Sequence, residues 1–241
     1  MIFFRRKTPV DLGWLHTDMH SHLVPGIDDG SPDIASSVAL IRGMSELGYK
    51  KIITTPHIYW EFYPNTPDKI GTGMEEVRKA VMAEGIEVEL HAAAEYFMDD
   101  HFEQLLQAKA PLLTLSRNFL LVEYSMVTAP MDLMDILFEL QMQNYQPVIA
   151  HPERYTYQGR RKESFDELKN TGCHFQLNIL SLTGHYGPAV QELAEYLLKK
   201  NYYDFIGTDL HHSRHLSLIQ KLSPAVMKKL RELAELKNHL L

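Results

Sequence analysis

His20 and His22 stand two residues apart at the end of an apolar run, residues 14–19. In a strand, residues i and i+2 face the same side. The two imidazoles then project together, as two ligands of one metal ion do. Such a pair also arises on ordinary surfaces and in cores, and alone it specifies nothing. Similar residues recur down the chain. Asp29 lies in the loop Gly26-Ile27-Asp28-Asp29-Gly30. His57 follows Thr54-Thr55-Pro56, Glu95 ends the run 88–94, Glu123 ends 119–122, and His151 ends 147–150. Asp209 and His211 come after 205–208. Imidazole and carboxylate together are a donor set for manganese, iron or zinc rather than for magnesium, which prefers oxygen alone.

The runs before these residues read as strands: 14–19, 51–55, 88–94, 119–122, 147–150, 174–177 and 205–208. Helix signals fill the intervals. Ser31-Pro32-Asp33 opens the first helix, with Ser31 as cap and Pro32 at its first position, and Gly48 closes it. Further helices are expected at 67–84, 101–108, 130–144, 162–171, 187–200 and 223–240. Strand–helix alternation predicts an α/β fold with a parallel sheet and right-handed crossovers. Seven such units predict a barrel rather than an open sheet. No linker or repeat divides the chain, so 1–241 is read as a single domain. Each polar residue sits at the C-terminal end of its strand, the face on which TIM-barrel-like folds carry their active sites. Parity agrees: Asp18, His20 and His22 share one face of the first strand, and Phe205, Gly207 and Asp209 one face of the last.

The chain has 241 residues, 45% of them hydrophobic and 23% charged, with a net charge of −7. Nucleic-acid binding is disfavoured by that balance. One cysteine, Cys173, excludes an internal disulfide and suits a reducing, cytoplasmic setting. No run reaches the length of a transmembrane segment, and the order of apolar and basic residues at the N-terminus is not that of a signal peptide. Phe3 and Phe4 are read as a flap on the body. The sequence selects no oligomeric state.

The motifs Asp18-Met19-His20-Ser21-His22, Asp28-Asp29-Gly30, Thr55-Pro56-His57, Ala94-Glu95, Val122-Glu123, Ala150-His151-Pro152-Glu153-Arg154-Tyr155 and Thr208-Asp209-Leu210-His211 resemble those of the PHP (polymerase and histidinol phosphatase) family. Within it, the Val-Pro-Gly-Ile-Asp-Asp-Gly loop and the compact length resemble the bacterial protein-tyrosine phosphatases of capsular and exopolysaccharide operons. The resemblance implies a distorted seven-stranded (β/α)7 barrel and three divalent metal ions, manganese with iron or zinc as alternatives. It implies one ion on His20, His22, Glu95 and Asp209, and a second bridged by Glu95 and completed by Glu123 and His151. A third would rest on Asp29, His57 and His211. Arg154 would grip phosphate, and Arg214 is placed as a further phosphate arginine. The implied substrate is a phosphotyrosine protein, the tail of a bacterial tyrosine kinase that governs polysaccharide export.

The chemistry is consistent with that implication. Three divalent cations against the carboxylates of Asp29, Glu95, Glu123 and Asp209 leave a site of net positive charge, suited to a phosphomonoester dianion. Cations lower the pKa of a shared water enough for it to attack phosphorus. The cysteine route is absent, because the sixth residue after Cys173 is Ile179 and not arginine; Cys173 is read as a packed core residue. A small-molecule phosphatase, such as one for histidinol phosphate, would share the whole site. An amidohydrolase commonly has a bridging lysine where this chain has Glu123, and a non-catalytic metal module has no need of Arg154. Asp18 is read as orienting a ligand imidazole, and Asp28 either does so or serves a turn. Asn178 lines the pocket or caps its strand. His91 is placed by parity in the barrel interior. The loop 58–63 either packs on the rim or forms a wall for an aromatic or peptide substrate.

Overall fold

The computed structural model describes residues 10–233 and 235–241, so the Phe3–Phe4 expectation lies outside it. Among the described residues nine short strands carry the fold: β1 (Thr17–Asp18), β2 (Lys51–Thr54), β3 (His57–Ile58), β4 (Glu89–Ala92), β5 (Glu95–Phe97), β6 (Phe119–Glu123), β7 (Gln146–Ala150), β8 (His174–Asn178) and β9 (Phe205–Gly207). Eight α-helices accompany them among the described residues: α1 (Ile34–Glu46), α2 (Pro67–Ala83), α3 (Asp100–Gln107), α4 (Leu133–Met142), α5 (Glu163–Asn170), α6 (Pro188–Lys199), α7 (Ser213–Ile219) and α8 (Pro224–Arg231). Every strand pair is parallel, in two sheets ordered β1-β2-β4 and β3-β5-β6-β7-β8-β9.

Seven strands were expected and nine are found because two runs are interrupted. One breaks at Thr55-Pro56, where proline has no N–H to give a ladder, and the other at Ala93-Ala94. Backbone bonds continue across the breaks, Thr55 N–H to Ser21 C=O at 2.6 Å and Glu95 N–H to Pro56 C=O at 3.1 Å. The chain after β1 also meets the chain after β9: Asp209 N–H donates to His20 C=O at 2.8 Å and His22 N–H to Leu210 C=O at 2.9 Å. The parallel strands thus curl into a half-barrel wall. Leu121, Val148, Ala150 and Phe205 pack with Met19 and Ile53 in a small inner cluster. The alternating Leu120, Val122, Ile149 and Ile206 belong to the larger core, as the period of two requires.

Helix boundaries differ from expectation where side chains compete for backbone groups. Asp33, not Ser31, caps α1, accepting from Ser36 N–H at 2.8 Å; the Ser31 hydroxyl donates instead to Asp33 C=O. The helix α7 was not expected; the His212 ring caps it by accepting from His215 N–H. The last helix stops at Arg231 rather than running to 240. Asn238 is needed elsewhere: it accepts from Ile206 N–H and donates to Thr17 and Ile206 carbonyls at 2.7–3.0 Å, tying β1 to β9. Among the described residues no helix is long and apolar enough to cross a membrane.

Candidate metal centre

The nine expected ligands meet at one end of the sheet: Glu123 closes β6, His57 and Glu95 open β3 and β5 just past the two strand breaks, and the other six lie in the segments that follow β1, β7 and β9. His20 Nε2 lies 3.1 Å from Glu95 Oε2, 3.3 Å from Asp209 Oδ1 and 3.3 Å from His22 Nε2. His57 Nδ1 is 3.3 Å from Glu95 Oε2 and 3.0 Å from Glu123 Oε1, and its Nε2 is 3.5 Å from Asp29. His151 Nε2 approaches Glu95 Oε1 at 3.1 Å. His211 Nε2 approaches the same Asp29 oxygen at 3.4 Å. Four overlapping groups have donor atoms within 4.8 Å of one another: His22, Asp29, His57 and His211; His20, His22 and Glu95; His20, His151 and Asp209; and His57, Glu95 and Glu123. His57 thus also borders the Glu95–Glu123 pair, a neighbourhood the resemblance did not imply.

The donor set fits divalent cations. Gln176 Oε1 accepts from His151 N–H and is the acceptor 3.0 Å from His20 Nδ1, which assigns the His20 proton to Nδ1. His22 Nδ1 donates to Asp28 Oδ2 at 2.8 Å, and His211 Nδ1 to the Asp209 carbonyl at 2.9 Å. In all three rings Nε2 is left as a lone pair facing carboxylate oxygens, an arrangement that repels unless a cation lies between them. Burial opposes charge on His57, yet Glu123 and Glu95 push it up to about 9. Burial would likewise raise the carboxyls of Glu95 and Asp209, but His20 beside them holds both well below the usual range. Buried Glu95 Oε1 has no hydrogen-bond donor, as expected of an atom reserved for a metal.

Two of the ligands sit on strained backbone. His151 and Asp209 hold φ of 32° and 51°, in the left-handed region, a cost that functional sites commonly carry. Gly207 leaves room for His20 and Gln176, because a Cβ there would lie 2.7 Å from His20 Cβ and 2.8 Å from Gln176 Nε2.

Arg154 reaches the cluster. Its Nη1 lies 3.3 Å from Asp209 Oδ2 and its guanidinium stands 4.7 Å from the Tyr186 ring centroid. Arg154 and Tyr186 line a cavity of about 300 Å³ above the cluster, with Met126, His212 and His215 on the same wall. Arg214 is exposed on the first turn of α7 and makes no hydrogen bond or ion pair with any of the nine. Its neighbours His212 and His215, three apart on one helical face, take the wall instead.

Other expectations resolve one by one. Asp18 does not touch an imidazole; it accepts from Thr208 N–H and Oγ1, both at 2.9 Å, and so fixes the strand end that presents Asp209. Asp28 does both things allowed for it, holding His22 and accepting from Gly30 N–H and His57 N–H. Asn178 accepts from Leu180 N–H and donates to Asp209 Oδ2 at 2.8 Å and to the Tyr186 hydroxyl at 3.1 Å. His91 is exposed beside Glu89 and not interior, because β4 ends before Ala93 turns the chain inward. Cys173 is buried away from the cluster. Gln176, Tyr186, His212 and His215 were missed; only the parity of Gln176 with Asn178 on β8 pointed to any of them.

The family model described as capsular polysaccharide synthesis, CpsB/CapC, matches residues 16–236. The chain is 30% identical to the tyrosine-protein phosphatase YwqE of Bacillus subtilis (strain 168), over 81% of this chain and 77% of that protein. It is 30% identical to the tyrosine-protein phosphatase CpsB of Streptococcus agalactiae serotype V, over 81% and 82%. A chain from the crystal structures of YwqE and of Streptococcus pneumoniae CpsB, described as unique metal-dependent tyrosine phosphatases, superposes with a TM-score of 0.81 at 26% identity, covering 92% of this chain and 89% of that one. An amidohydrolase from Mycoplasma synoviae, 14% identical with a TM-score of 0.54, shares the fold. Because the matched span takes in all nine converging side chains and Arg154, this chain belongs to the CpsB/CapC family of capsular polysaccharide synthesis proteins.

Proposed function

We propose that this protein is a metal-dependent protein-tyrosine phosphatase acting on a bacterial tyrosine kinase that governs polysaccharide export. The observation that carries the reading is the convergence of nine imidazole and carboxylate side chains beneath a cavity that Arg154 overhangs. The activity named for the relatives YwqE and CpsB supports it. The chain is read as one cytoplasmic domain of seven βα units, each interrupted run counting as one strand.

The nine residues would hold three divalent ions, manganese with iron or zinc as alternatives, in the grouping His20, His22, Glu95 and Asp209; Glu95, Glu123 and His151; and Asp29, His57 and His211. When bound, such ions lower the pKa of a water and neutralise phosphoryl charge. The chain's own residues do the rest. Gln176, Asp28 and the Asp209 carbonyl fix the tautomers of three ligand imidazoles. Asn178 and Arg154 share Asp209 Oδ2, which keeps the guanidinium over the cavity, where its fork can take two phosphate oxygens. Arg214, exposed on the first turn of α7, is the candidate for the further phosphate arginine. The tyrosyl leaving group has a pKa of about 10 and departs with less protonation than a serine alkoxide needs.

The test compares catalytic efficiency of one manganese-loaded preparation on a phosphotyrosyl peptide, a phosphoseryl peptide and histidinol phosphate. The phosphotyrosyl peptide is expected to lead. Histidinol phosphate ahead by a decade or more would replace this reading with that of a biosynthetic phosphatase.

A further inference from the structure

A second concavity of about 410 Å³ lies beside the metal centre, between the loop after β3 and the first turn of α3. Trp60, Glu61, Asp100 and His101 line it. Its floor is rigid. Tyr59 stacks on Phe97 at 3.9 Å, and Trp60 stacks on His101 at 3.9 Å. Asp99 locks loop to helix by accepting from Trp60 N–H at 3.0 Å and from Phe102 N–H at 2.9 Å. The loop is therefore not merely packed away on the rim: Trp60 stays 46% exposed and Phe62 62% exposed, so two large rings of one short loop face solvent rather than a single scattered one. The Glu61 and Asp100 side chains are exposed beside it.

The charge around this groove is one-sided. Neither residues 59–66 nor α3 contains a lysine or arginine. Burial, together with Asp132, Asp100 and Asp99, raises the neighbouring Glu103 carboxyl, which registers the same negative field. An aromatic face flanked by free carboxylates is complementary to a cation on an aliphatic stem, which can lay its methylenes on the ring and its charge against the acids. The groove also shares its strands with the metal centre. Tyr63 stacks on His57 at 5.4 Å, β3 runs from His57 into the loop, and β5 runs from Glu95 toward Asp100.

We propose that this groove binds a lysine or arginine side chain of the peptide that carries the phosphotyrosine. Trp60 lies three residues beyond His57, at most ~10 Å along the chain at ~3.3 Å per residue. An extended substrate would therefore bring the position about two to four residues from the phosphotyrosine into the groove. The net charge of −7 then works in the same sense, drawing basic substrate segments to the surface.

The inference rests on the phosphatase reading, and the experiment separates the two. Phosphotyrosyl peptides carrying lysine or alanine two to four residues to either side are compared by kcat/KM. The same pairs, with a non-hydrolysable phosphonate replacing the phosphate, are compared by calorimetric Kd. Lysine is expected to improve both by about fivefold to thirtyfold at low salt, with the kinetic gain residing in KM. Trp60→Ala and Asp100→Asn should each reduce that preference, while kcat/KM on p-nitrophenyl phosphate stays unchanged. Equal binding of lysine and alanine peptides overturns the inference whether or not turnover is seen, as does a preference that survives both substitutions. Absence of turnover on every phosphotyrosyl substrate, with the lysine preference in binding intact, overturns the phosphatase reading alone.

Discussion

Arg154 has little to hold up in the fold and much to do in the cavity. Its side chain is 30% exposed, and among the described residues it pairs with Asp209 alone. Arg154→Ala is expected to lower kcat/KM by about two to three decades, the usual consequence of losing one charge-stabilising contact in the transition state. Tm should move by less than ~3 °C, since little apolar packing is lost. Arg154→Lys should recover only part of the rate, because an ammonium is a point charge without the fork. An unchanged rate in the alanine variant would give Arg154 a structural role and turn attention to Arg214. Eight of the nine converging side chains were legible because they follow closely on an apolar run, so strand period and position fix their direction without knowledge of their partners; Asp29, in the loop 26–30, was legible only through the resemblance. Their supports were not. Asn178 meets Asp209 across 31 positions and Gln176 meets His20 across 156, and no local pattern announces such pairs. Asp18 was placed on the correct face but given the wrong neighbour, for the same reason.

At the level of elements, the parallel α/β order could be read because helix and strand periods differ, while the strand breaks and the short α8 could not. Those depend on tertiary hydrogen bonds: Thr55 to Ser21 at one break, and Asn238 to the edges of β1 and β9 at the chain end. Gly207 offers a test of how tightly β9 and the ligand-bearing turns are fitted. It lies on β9 with His20 on one side and Gln176 on the other, and an added Cβ would meet both below 3.0 Å. Neither neighbour is free to yield, since His20 faces the cluster and Gln176 holds both His20 and His151. Gly207→Ala is therefore expected to cost about 1–3 kcal/mol of stability by overpacking, and to weaken metal binding as His20 is displaced. Urea unfolding and calorimetric titration of manganese check the two effects. An alanine variant with unchanged stability and affinity would mean that β9 has slack that the close approaches deny.

Across the whole molecule, the two ends of the barrel use charge in opposite ways. At the C-terminal ends of the strands, carboxylates crowd against imidazoles in a donor set that fits divalent cations. At the other end, Asp204, just before β9, is already neutralised: Lys169 lies 2.6 Å from Oδ2, Lys237 and His174 2.9 Å from Oδ1, and Phe175 N–H donates to it as well. This knot joins α5, β8, β9 and the C-terminal segment, so it serves the fold and not the reaction. Burial would raise the Asp204 carboxyl, but His174, Lys169 and Lys237 outweigh that and hold it far below its ordinary value. A carboxyl depressed in the folded state stabilises in full above its unfolded pKa of about 3.9 and loses that contribution as pH falls toward the folded value. Asp204→Asn is expected to cost about 1.5–3 kcal/mol near neutrality, the range for hydrogen bonds to a charged group. The gap between wild type and variant should begin to close below about pH 4, as the unfolded chain's carboxyl takes up its proton. Urea unfolding of chelator-treated protein across the acid range measures it. The carboxylates of the metal centre titrate in both proteins and cancel in the difference, so a gap that does not narrow in acid would show that the asparagine acts through packing and that the Asp204 charge contributes nothing to the fold.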